Sequence, residues 1–163
     1  MATVTTLAGG TVDGFTAGRM PYFKEVLIDF AAAATAKGSA LAAADVIEAI
    51  SVPADTIILN AGLEVITVAG GESNDTTVDL GVTTTEPDIF IDGFDLDAAA
   101  AGAYAQNAAA FQPIVIGGTA DTIDLLIATA TTAPTSGVVR VFAILMDVDA
   151  RQTAAEVDRD VLA

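Results

Sequence analysis

Two stretches decide the fold: DTIDLLIATAT, Asp121–Thr131, and GVVRVFAILMDV, Gly137–Val148. Both are dense in β-branched and apolar residues at strand length, and they are the strongest strand signals in the chain. The turn between them, Thr132-Ala133-Pro134-Thr135-Ser136-Gly137, is rich in Thr and carries Pro, Ser and Gly. Arg140 lies inside the second strand, among apolar neighbours. A cation there calls for a carboxylate, and the sequence offers one on an adjacent strand, such as Asp124, or on a neighbouring subunit. A substrate-binding arginine is the lesser alternative.

Upstream, the same kind of pattern repeats. Gln112–Gly117 (QPIVIG) reads as a strand, as does Asp88–Leu96 (DIFIDGFDL), which is broken at Asp92-Gly93. In Thr76–Val82 (TTVDLGV), Thr76, Val78, Leu80 and Val82 share one face. Asp45–Val52 and Thr56–Leu59 are strand-like and separated by Pro53-Ala54-Asp55, where proline cannot donate to a ladder. Leu63, Val65 and Thr67 alternate with Glu64, Ile66 and Val68 and continue the strand through Ala69. Gly70–Asp75 and Thr83–Pro87 read as loops. Tyr22–Phe30 is an amphipathic, β-rich run. Ala31–Ala44 is alanine-dense, but Gly38 and Ser39 interrupt it, so a short turn or loop is expected there. The one convincing helical stretch is Ala98–Asn107, with Asp97 as its N-cap.

About eight short strands with turn signals every ~8–15 residues describe an all-β chain, an antiparallel β-sandwich or a jelly-roll-like barrel with one short helix. A βαβ arrangement does not fit. No repeat of fixed period is visible. The expected organisation is an extended N-terminal arm over residues 1–20, a β-sandwich domain over 21–150, and a C-terminal arm over 151–163. The second arm has room for a short helix from Thr153 to Val161.

Composition removes most chemistries. The 163 residues include no His, no Cys and no Trp, with 34 alanines, 20 threonines and 14 glycines. Disulfides, thiolate or imidazole metal sites, cysteine nucleophiles and Ser-His-Asp triads are therefore excluded. Six Lys and Arg against 22 Asp and Glu give a formal charge of −16, which argues against binding nucleic acid through its phosphates. No stretch approaches the ~20 apolar residues of a transmembrane helix, and no basic n-region with an apolar h-region opens the sequence. A soluble chain that engages neither membrane nor nucleic acid is the expectation.

The charges are unevenly placed. Between Lys37 and Arg140 there is no basic residue, and that interval holds 14 acids. A solvated acidic surface explains this. The sharper reading has the basic ends of one copy meeting the acidic middle of the next.

Candidate sites are few. Asp92, Asp95 and Asp97 with Gly93 offer three carboxylates around a turn, the raw material of a calcium loop. The DxDxDG pattern and the closing Glu are missing, so a turn with a helix cap is the plainer reading. Some carboxylate pair falls at glycosidase separation by chance among 22 acids, and the aromatic platforms of a sugar site are scarce. Tyr22, Phe23, Phe90, Phe94, Tyr104 and Phe111 mostly occupy core-like positions. Gly9-Gly10, Gly70-Gly71 and Gly117-Gly118 are turns, since none leads into Lys-Ser/Thr or a strong helix. No catalytic residue, cofactor site or metal site is assigned.

The segments Asp121-Thr122-Ile123, Ala133-Pro134-Thr135-Ser136-Gly137-Val138-Val139-Arg140-Val141-Phe142-Ala143 and Met146-Asp147-Val148 give the chain a further character. It resembles a group of small, Ala/Thr/Gly-rich virion structural proteins of tailed phages, often marine ones. The resemblance spans residues 22–148 and is strongest over 111–148. It implies a non-enzymatic capsid decoration or cement protein that sits on a lattice of major capsid protein, with no active-site residues. Such a protein would be a homo-oligomer, a trimer on a local threefold being one suitable form. It would be made in the host cytoplasm and reside on the capsid surface. A tail or fibre component, or a β-sandwich carbohydrate-binding module, are the alternatives.

Overall fold

A computed structural model describes residues 21–70, 76–82, 86–107, 113–132 and 134–148. The two arms and Phe111 lie outside the described residues. The strands are β1 (Tyr22–Asp29), β2 (Val46–Val52), β3 (Thr56–Gly70), β4 (Thr77–Val82), β5 (Glu86–Asp95), β6 (Tyr104–Gln106), β7 (Ile114–Ile116), β8 (Asp121–Thr129) and β9 (Ser136–Asp147), with one helix, α1 (Phe30–Lys37).

They form two antiparallel sheets. Sheet A has the order β1-β9-β3-β6, with β7 also on β3, and sheet B the order β2-β8-β4-β5. β6 pairs with Gly62–Glu64 and β7 with Thr56–Ile58, so the two share one edge position beside β3. Taken that way, the chain alternates between the sheets except at β4 and β5, which share sheet B, and the strand order is that of a jelly roll. The sheets remain a sandwich and do not close into a barrel. Among the described residues, β4 and β5 are the only consecutive strands that pair with each other.

The inner faces follow from the period-2 alternation of each strand. Ile123, Leu125 and Ile127 of β8, together with Val78, Leu80 and Val82 of β4, meet Val139, Val141, Ala143 and Leu145 of β9 in one buried cluster. Each fully buried Leu, Ile or Val contributes about 1.5–3 kcal/mol. The two strongest strands of the sequence, β8 and β9, therefore lie in opposite sheets, and the turn between them crosses the sandwich. For that reason Arg140 does not face Asp124 as expected.

Two local expectations are corrected. Phe30–Lys37 is a helix, where a turn or loop was expected. Asp29 Oδ1 accepts from the N–H of Ala31 (2.8 Å) and of Ala32 (3.1 Å), an N-cap on the first turn. Gly38, at φ 79°, donates its N–H to the carbonyls of Ala34 and Thr35 and closes the C-terminus. Gly38 thus ends the helix without interrupting it. Phe30 is fully buried, and Ala33 and Ala34 pack against the core, so α1 is docked on the core where the chain passes from sheet A to sheet B.

Conversely, Ala98–Asn107 is not helical. Asp95 Oδ1 accepts from the N–H of Asp97 (2.8 Å) and Ala98 (3.1 Å), folding a turn in which Asp95, not Asp97, is the capping carboxylate. A second turn follows at Gly102 (φ 86°), and Gly102 N–H donates to Val65 O at 2.7 Å. Tyr104–Gln106 then pair with β3. Ten alanine-rich residues are marginal as a helix in water, and ladder bonds to β3 outcompete them.

Candidate docking surface

Outward-facing residues separate the two sheets chemically. On sheet A, β1 presents Phe23, Glu25 and Leu27, opposite Ile144, Phe142 and Arg140 of β9. Phe23 is 58% exposed and Leu27 59%, and Ile144, Val115 and Tyr104 extend the apolar surface across β9, β7 and β6. The expectation that the aromatics are core residues therefore holds for buried Phe90 and half-buried Phe94, and fails for Tyr22, Phe23 and Tyr104. Strand alternation sends Phe23 outward, and the cue was available in the same run: Val26 and Ile28 fill the inner positions.

The Phe142 ring is held from both sides. It stacks on Phe23 with centroids 6.2 Å apart and planes 20° from parallel. On its other flank lies Gly62, where a Cβ would come within 2.6 Å of Phe142 Cζ, so the ring lies over the bare backbone of β3. Gly62 is thus a close-approach position that fixes an aromatic pair at the surface.

Beside that pair is a charge cluster. Arg140 Nη1 stands 3.2 Å from Glu64 Oε2, and Arg140 Nε stands 3.6 Å from Glu25 Oε2. Glu64 is the direct cross-strand partner of Arg140 on β3, and Tyr104 of β6 pairs in turn with Glu64. One guanidinium between two carboxylates leaves a surplus negative charge in the middle of the apolar face.

Sheet B shows the opposite character. Glu48 of β2 faces Asp124 of β8, and Asp79 of β4 lies on the same side. Between its pairings at Ile91 and Glu86, β5 bulges over Gly81. Asp79 Oδ1 accepts from Gly93 N–H at 2.7 Å. Burial pushes the Asp79 carboxyl above its usual value, the Gly93 N–H pulls it back, and the nearby charges of Asp92 and Asp88 push it further up.

Two of the three residues considered for calcium are engaged with backbone. Asp95 caps its own turn, and Asp97 Oδ2 accepts from Thr76 N–H at 2.9 Å. Gly93 N–H, next to Asp92, is taken by Asp79. Among the described residues, no group of three or more acidic side chains is arranged to hold a metal ion, and no helix is long and apolar enough to cross a membrane.

No protein-family model and no curated protein matches the sequence. Solved structures do match. A chain in the capsid asymmetric unit of cyanophage Pam1 superposes with a TM-score of 0.62 at 16% identity, covering 90% of this chain and 94% of that one. A chain in the capsid of Ralstonia phage GP4 gives 0.54 at 16% identity, covering 92% of each. A chain in the acid-stable capsid structure of Helicobacter pylori bacteriophage KHP30 gives 0.50 at 17%, covering 76% of this chain and 86% of that one. The chain shares its fold with chains of phage capsids. The likeness runs almost end to end in both directions for the first two, so those capsid chains are small proteins of about this size.

Proposed function

We propose that this protein is a non-enzymatic structural component of a phage virion, a capsid decoration or cement protein that binds the lattice of major capsid protein and stabilises the head. The observation that carries the reading is the near full-length fold likeness to a small chain of the Pam1 capsid, with 90% and 94% of the two chains covered. Composition agrees, since the sequence has no His and no Cys to serve as nucleophile or general base near neutral pH. The apolar outer face of sheet A agrees as well, because a surface of exposed Phe and Leu on a strongly acidic protein marks a contact site.

In this reading the protein resides on the capsid surface, and its partners are the major capsid protein and further copies of itself. A closed symmetric oligomer, a trimer on a local threefold, suits a protein that must match a symmetric lattice. Residues 1–20 and 151–163 act as arms that reach neighbouring subunits.

A carbohydrate-binding module is less well supported. Its exposed aromatics, Phe23 on β1 and Tyr104 on β6, stand at opposite edges of sheet A with β9 and β3 between them. Three strand spacings across the sheet and a four-residue offset along it put them roughly 20 Å apart, too far for one aromatic platform.

The test is the composition of purified particles of the phage that encodes the chain. Quantitative mass spectrometry should find the protein in a fixed ratio to the major capsid protein, and labelling should place it on heads. Its absence from the particle overturns the reading, and its presence on tails alone would move it to a tail or fibre role.

A further inference from the structure

We infer that the outer face of sheet A is the surface that docks on the shell, and that its partner is an apolar surface of the shell subunit rimmed with Lys or Arg. This rests on the virion reading and adds to it the face used and the chemistry of what it meets.

The first argument is the asymmetry of the sandwich. Sheet A presents Phe23, Leu27, Ile144, Val115 and Tyr104 outward, whereas the outer side of sheet B carries exposed Glu48, Asp88 and Asp92 above the already buried Asp79 and Asp124, with Val46 its one exposed large apolar side chain among the described residues. Burying sheet A removes apolar area from water, and burying sheet B would desolvate carboxylates.

Charge decides the second question, what the occupant is. All the basic side chains among the described residues are already engaged. Lys24 Nζ donates to Ser51 O at 3.0 Å, Lys37 pairs with Asp45, and Arg140 lies between Glu25 and Glu64. A second copy pressed on this face would bring another chain of formal charge −16 with the same surplus carboxylate at its centre. Like charges meeting at an interface cost free energy and suppress that pairing. A cationic rim does the reverse. A partner Lys or Arg near Glu25 and Glu64 completes the cluster, two cations against two carboxylates, while Phe23 and Leu27 meet apolar surface beside it. Any symmetric oligomer of this protein then uses a different contact and leaves sheet A for the shell.

The experiment uses full-length protein and shells stripped of it, with attachment measured by co-sedimentation. Phe23→Ser with Leu27→Ser changes two exposed side chains, and thermal melting confirms that the fold persists. Asp88→Ala with Asp92→Ala on β5 is the control. The sheet A variant should lose attachment about tenfold or more, the control should attach like the wild type, and wild-type attachment should weaken as salt rises. Glu25→Gln with Glu64→Gln should attach more weakly at low salt and respond less to added salt. The inference is overturned if wild-type protein attaches and the sheet A variant attaches equally well, or if the β5 control is the one that fails. A drop in solution mass for the sheet A variant also overturns it, since a second copy would then be the occupant. Wild-type protein that does not attach to shells at all overturns the virion reading itself.

Discussion

The Asp79 carboxylate accepts the Gly93 N–H at 2.7 Å, tying β4 to the one place in β5 where the backbone turns to φ 68°. This bond holds a carboxylate against burial and against the charges of Asp92 and Asp88, which together raise its pKa above the ordinary 3.8. A raised folded-state value means the folded protein binds the proton more readily than the unfolded chain. The contribution of Asp79 to stability is therefore most favourable at acid pH and declines as pH rises through 3.8 and the folded value. Asp79→Asn keeps an oxygen for Gly93 and removes the charge. It should raise stability at neutral pH by about 0.5 kcal/mol, the scale of relieving a like-charge contact, and the gain should vanish below pH 3.8. Urea unfolding of both proteins across pH 3–7 reads this directly.

Lys37 and Asp45 have the opposite sign. The Lys37 ammonium, 2.6 Å from Asp45 Oδ2, and the Ala42 N–H hold that carboxyl below 3.8. Its stabilisation is present above 3.8 and is lost as pH falls through the depressed folded value. Lys37→Met should lower the melting temperature slightly at pH 7, and the two proteins should melt alike near pH 2.

Ala44 lies at φ 69° and is fixed there by its N–H bond to Ile127 O at 2.8 Å. A residue with a Cβ is strained in that region by about 1 kcal/mol, and glycine is not. Ala44→Gly should therefore raise thermal stability by a few degrees, an inversion of the usual cost of glycine, measurable by calorimetry.

Gly81 permits the β5 bulge to lie on β4. A Cβ at this position would collide with the Glu86 carbonyl oxygen and with the Pro87 backbone, which cannot move aside as a side chain could. Gly81→Ala should cost about 2–3 kcal/mol in denaturant unfolding.

Phe30→Ala tests the helix that docks on the core between β1 and β2. Phe30 is fully buried, and its loss should cost about 3–5 kcal/mol. A loss below 1 kcal/mol would show that α1 is not part of the cooperative core.

Much of the sandwich was legible because strand alternation is a local signal. Thr76, Val78, Leu80 and Val82 are all buried as their spacing implied, and Pro53-Ala54-Asp55 does separate two strands. The helix is misplaced because Gly38 reads in the sequence as an interruption when it is a C-cap, and Asp97 reads as an N-cap when no helix follows it. Asp29 and Gly38 bracket Phe30–Lys37 as N-cap and C-cap, whereas the longer alanine run at 98–107 has ladder partners on β3 that no local pattern reveals. Pairing was illegible for the same reason. Arg140 finds Glu64 and Glu25 because β9 inserts between β1 and β3, an arrangement set by the whole topology. The docking face was half visible: the exposed positions of Phe23 and Leu27 follow from alternation in β1, but Tyr104 and Val115 join them only through tertiary pairing.

The central place of β9 in sheet A has a consequence for biogenesis. Tyr22 bonds across to Leu145, and Thr56 to Asp147, so the earliest strands wait for the latest. A nascent chain still emerging from the ribosome can close the β4–β5 hairpin, but it has nothing to bridge β1 and β3. Such non-local pairing folds slowly and leaves open strand edges exposed until β9 has been made. Products of premature termination upstream of β9 cannot complete sheet A at all. Only chains that carry β9 can complete the fold.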